Sequence, residues 1–163
     1  MKRRTILVCL FCVAMLLPVA EAANQTYSVN LVGPQITSAA SGASVRTTGS
    51  GSFDPVAQTV IASGSFTQFN ADGSVAARGT WVATGFVSFM AFGGPNPGLQ
   101  GGLLQITVSL FFQGGEQQTD VPMTVTCLIN APPGFTGDEG ITLGVFTHSI
   151  EVGHSHTLFH LNL

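Results

Sequence analysis

Between positions 75 and 90 every odd-numbered residue lacks a polar side chain: Val75, Ala77, Gly79, Trp81, Ala83, Gly85, Val87 and Phe89. The even positions are mixed, with Ala76, Arg78, Thr80, Val82, Thr84, Phe86, Ser88 and Met90. A period of two is the signature of a strand with one dry face. At about 3.4 Å per residue this segment would run roughly 50 Å, more than the diameter of a small domain, so it must coil or bend. Gly79 and Gly85 lie on the dry face, where a missing side chain lets a strand fold tightly over a core. Such a strand fits a closed barrel, or a sandwich in which it crosses between sheets.

The rest of the chain alternates in the same way, and no window carries a clear 3.6-residue apolar period. Tyr27, Val29 and Leu31 mark a first strand, and two more are expected over residues 47–53 and 59–69, each with a Gly-Ser-Phe triplet. Asn70-Ala71-Asp72-Gly73 is a hairpin signal, since Gly tolerates the positive φ that tight turns need. Residues 92–102 hold Pro95, Pro97 and five glycines and read as a long loop. Leu104, Ile106, Val108, Leu110 and Phe112 then share one face, as do Val121, Met123, Val125, Cys127 and Ile129. Final strands are expected over residues 141–150 and 154–161. The expected fold is all-β and antiparallel, with about eight strands in a small closed or nearly closed barrel; a β-sandwich is the alternative.

The first residues have a different character. Lys2, Arg3 and Arg4 precede an apolar run at 6–17, then Pro18 and the small-x-small pattern Ala20-Glu21-Ala22. This is the pattern of a secretion signal, and the run is shorter than the ~20 residues that a spanning helix requires. Residues 1–22 are therefore expected to be a signal peptide cleaved near Ala22. Residues 23–163 would form a single β domain, secreted or periplasmic, with no membrane span. In that mature part Arg46 and Arg78 face seven acidic residues, a formal charge of −5. Nucleic acids and anionic membranes are held by clusters of Lys and Arg, so neither is an expected partner. Asn24-Gln25-Thr26 fits the acceptor pattern for N-glycosylation in a host that glycosylates.

The usual catalytic motifs are missing: no nucleophile elbow, phosphate-binding loop, metalloprotease helix or dinucleotide fingerprint occurs. Cys127 shares its face with Val125 and Ile129, which marks a packing thiol. Two places carry a candidate site. Trp81 on the dry face is a core filler or, as in ligand-holding barrels, the wall of a ligand cavity. The C-terminal part holds His148, His154, His156 and His160. A hairpin turn at Glu151-Val152-Gly153 would pair Ile150 with His154, and so place His148 beside His156. The same register would put Leu143 and Val145 with Phe159 and Leu161 on the core side. Grouped imidazoles of this kind suit Zn or Cu; otherwise they are polar residues of a solvent-facing strand.

Gly79-Thr80-Trp81-Val82-Ala83-Thr84, Ser88-Phe89 and Val125-Thr126-Cys127 together resemble a family of small exported bacterial β-rich proteins without an assigned activity. The resemblance implies an exported β domain and carries no catalytic residues over. The expected function is a non-catalytic exported domain that binds a small ligand, or serves in envelope or extracellular interactions. The second expectation is a metal-binding protein or simple metalloenzyme using the histidines.

Overall fold

A computed structural model describes residues 25–150 and 155–162. Among these residues there are nine strands and no helix: β1 (Thr26–Ser38), β2 (Ser44–Asp54), β3 (Thr59–Phe69), β4 (Val75–Asn96), β5 (Leu99–Phe112), β6 (Gln117–Cys127), β7 (Gly140–Leu143), β8 (His148–Ile150) and β9 (His156–Asn162). All pairings are antiparallel, in the order β4-β3-β2-β1-β9-β5-β6-β7. Because β4 also pairs with β5, six strands close into a ring. Closure between β5 and β9 rests on a single pair, Gln100 with Phe159. The fold is thus all-β and antiparallel, a six-stranded ring that fits a barrel or sandwich-like architecture, with β6 and β7 branching from β5.

Alternation builds the core as the sequence leads one to expect. Leu104, Ile106 and Val108 of β5 are buried, as are Val121, Met123, Val125 and Cys127 of β6. At one end of the ring Tyr27, Phe53, Phe89 and Phe159 pack with ring centroids 4.7–5.9 Å apart. The turn at Asn70–Gly73 closes the β3–β4 hairpin, with Gly73 at φ 82° and the Ser74 amide donating to Asp72 Oδ1 at 2.9 Å.

β4 departs from strict alternation. Its register on β5 slips between Ala83 and Gly85 and again between Phe86 and Ser88. Each slip is a bulge that adds one unpaired residue and reverses the facing of the residues beyond it. Phe86 therefore turns inward to pack on the core, and Val87 is 57% exposed. The bulges and glycines let the 22-residue strand bend. Below Val82 it pairs with β3 and β5, whereas above it pairs with β5 alone. Residues 59–62 of β3 consequently have no described strand partner on the side away from β2.

Two expected features differ. The supposed loop at 92–102 is the far end of the β4–β5 hairpin, with Asn96 paired to Leu99. Its glycines serve close packing: a Cβ on Gly102 would lie 2.6 Å from the Phe89 ring, and one on Gly101 would strike the Ile129 carbonyl. The final strand pair also differs. β8 and β9 both run antiparallel to β1, as Ile36 pairs with Ile150 and Val32 with His156. They lie in line along one edge of β1 and are not the two arms of a hairpin. The expected strand at 141–150 is broken by a turn in which Leu143 and Phe146 exchange backbone hydrogen bonds of 3.0 Å. Gly144 sits there at φ 58°, and Val145 is 75% exposed rather than on the core side.

Candidate ligand cleft

Trp81 is 3% exposed and belongs to the filled interior. Its indole lies across β3 in a recess left by Gly64 and Gly49, and a Cβ on Gly64 would stand 2.6 Å from Nε1. Nε1 donates to the Thr48 carbonyl at 3.0 Å. The tryptophan packs here as a core side chain.

The three described histidines are spread along the β1 edge. His148 pairs with Ser38 and His156 with Val32, positions six residues apart on β1, or about 20 Å. His156 and His160 are four residues apart on β9, about 13 Å, on the less buried face with Leu158 between them. The opposite face carries Thr157 and Phe159, both fully buried, as expected. His154 and the turn at 151–153 lie outside the described residues. No group of three His, Cys, Asp or Glu positioned to hold a metal occurs among the described residues. Cys127 is 1% exposed, and burial pushes its thiol up from its ordinary value.

A different feature has the dimensions of a binding site. Where β6 and β7 leave the ring, a cleft of about 350 Å³ opens between them and the ends of β2, β3 and β5. This falls within the usual size of small-molecule sites, about 300–1,000 Å³. One wall is Val45 of β2, Phe66 of β3 and Leu110 and Phe112 of β5; the other is Val121, Leu143 and Phe146. The Phe66 and Phe112 rings meet edge to face at 5.2 Å. Gln68, Gln118, Thr119 and Asp120 are the polar lining.

Local rules explain how this wall is made. Val108 pairs with Val121 but Leu110 pairs with Gln118, so Thr119 and Asp120 together oppose the single residue Ser109. The extra residue makes a bulge, and Asp120 takes φ 56°. The bulge separates the polar start of β6 from its apolar continuation. On the other side, the turn at 143–146 folds back so that the Gly144 amide donates to the Pro122 carbonyl at 2.9 Å. Beside Val45 and Phe66 lie Thr37 and Thr47, their respective cross-strand partners. Both hydroxyls are fully buried and have no hydrogen-bond partner.

Sequence reasoning passed over this cleft. Its apolar residues read as ordinary core positions, and only the polar run Gln117-Gln118-Thr119-Asp120 ahead of an alternating strand hints at a break. A clamp at Glu139 was equally hidden. Glu139 accepts hydrogen bonds from the Leu128 amide at 2.5 Å and from the Thr157 amide and hydroxyl at 2.9 and 2.7 Å, tying the 128–139 loop to β9. No protein-family model, curated protein or solved structure matches the chain.

Proposed function

We propose that this protein is an exported, non-catalytic β domain that holds a small, largely apolar ligand in the cleft between the ring and the β6–β7 arm. The observation that carries the reading is an apolar recess of about 350 Å³ lined by Val45, Phe66, Leu110, Val121 and Leu143. Burial of a ligand against such walls contributes about 25 cal/mol per Å² of apolar surface. Export is supported by the cationic patch, short apolar run and small-x-small pattern at the start of the sequence.

The reading is tested by titrating a neutral apolar fluorescent probe into the protein. Gln118 lines the cleft from an exposed position, so Gln118→Trp fills the recess without disturbing the core. Ile61→Trp is the control, on the outer face of β3 where Ile61 is 80% exposed. Wild type and Ile61→Trp should bind the probe at one site, and Gln118→Trp should bind at least about tenfold more weakly, a loss of ~1.4 kcal/mol. Equal binding by all three proteins would exclude the cleft as the site.

A further inference from the structure

The cleft has a charge asymmetry that bears on the kind of molecule it takes. Of the residues that line it, Asp120 alone carries a charge. Asp120 is exposed, and its carboxylate has no hydrogen bond or ion pair among the described residues. The backbone holds it in the left-handed region, φ 56°, which Asp and Asn enter more readily than other non-glycine residues.

Neither arginine among the described residues compensates it. Arg46 leaves the outer face of β2 and places its guanidinium 5.8 Å from the centre of the Phe69 ring. Arg78 on β4 faces a separate groove with Gln113 and Glu116. An anionic head at the mouth would meet an uncompensated carboxylate. A cationic head would meet an opposite charge together with the aromatic lining of Phe66, Phe112 and Phe146, which attracts cations.

We propose that the cleft selects amphiphiles with a cationic head, an amine or quaternary ammonium on an apolar body, over neutral and anionic analogues. This rests on the cleft being the ligand site. The apolar body lies between Val45, Leu110, Val121 and Leu143, and the head stays at the mouth beside Asp120.

The test compares three ligands of one chain length, octyltrimethylammonium, octanol and octyl sulfate, as competitors of the neutral probe at low ionic strength and below micelle formation. Each is measured on wild type and on Asp120→Asn. Asn tolerates the left-handed conformation, so the variant removes the charge and keeps the backbone. The ammonium should displace the probe at about fivefold lower concentration than octanol, and the sulfate at about fivefold higher, the scale of an exposed charge contact. Both differences should vanish in Asp120→Asn with octanol unchanged, and shrink on addition of salt. If octanol competes but the order is absent, reversed or unaltered by Asp120→Asn, the selectivity is wrong and the cleft survives as an apolar site. If octanol fails to displace bound probe, or no probe binds, the cleft reading falls and the selectivity with it.

Discussion

Trp81 Nε1 donates to the carbonyl of Thr48 at 3.0 Å, although a whole strand separates the two residues. Trp81 pairs with Gly64, and Gly64 pairs with Gly49, the neighbour of Thr48. The indole spans that intervening strand because Gly64 leaves it bare, while Gly49 makes room for the ring on β2. Three strands of the ring are thereby held by one side chain.

Replacement of Gly64 by Ala should be among the most damaging single-methyl changes in this protein. The added Cβ would strike the Thr48 carbonyl and lie 2.6 Å from Trp81 Nε1. One of those neighbours is backbone, and the other is pinned by its own hydrogen bond. Overpacking of this type costs about 3 kcal/mol. Urea unfolding of wild type and Gly64→Ala measures the difference, and a loss below about 0.5 kcal/mol would show that the recess is not tight.

Thr47→Val should stabilise the fold. The Thr47 hydroxyl is fully buried without a partner, and an orphaned buried hydroxyl costs about 1–3 kcal/mol. Valine keeps the branched shape and removes the polar atom. An increase of about 1 kcal/mol in unfolding free energy is expected, with the same sign for Thr37→Val. A decrease would mean that the hydroxyls find partners in solution.

Stability should fall as the pH rises through the alkaline range. Burial raises the thiol of Cys127 and the phenol of Tyr27 above their ordinary values. The folded state therefore keeps protons that the unfolded chain releases. The Cys127 contribution is complete below the unfolded thiol value of about 8.5 and is lost as the pH rises from there toward the folded value; that of Tyr27 begins to decline near 10. Urea midpoints measured from pH 7 upward should decrease above about pH 8.5, and Cys127→Ala should remove the first part of that decline. A thiol reagent should react with Cys127 only on unfolding.

Much of this fold could be read from alternation, and the failures share a cause. β5 and β6 keep their apolar pattern residue by residue because each pairs along nearly its whole length. β4 does not, since the bulges at 83–85 and 86–88 exchange Phe86 for Val87 on the inner face, and a bulge depends on the partner strand. Gly101 and Gly102 looked like loop residues because close backbone approach and turn formation both favour glycine. The expected hairpin at 151–153 came from a local turn signal, whereas β1 offers an edge of 13 residues. Pairing both β8 and β9 with that edge satisfies backbone groups that would otherwise lack partners. This long-range gain is invisible in a local window. The cleft was hidden for a similar reason: Val45, Phe66, Leu110 and Leu143 are core-like in sequence, and only tertiary placement leaves a space among them.

Whether the cleft is where this protein meets its ligand is decided by titrating octanol into isotope-labelled protein and tracking backbone amide chemical shifts. Saturable changes are expected at Val45, Gln68, Val121, Leu143 and Val145, with residues 60–63 and Val82 unmoved. Saturable changes centred instead on the groove that Val60, Ile61, Ser63 and Val82 line between β3 and β4, or shifts that grow linearly across the whole sheet, would place the ligand elsewhere and refute the cleft as its site.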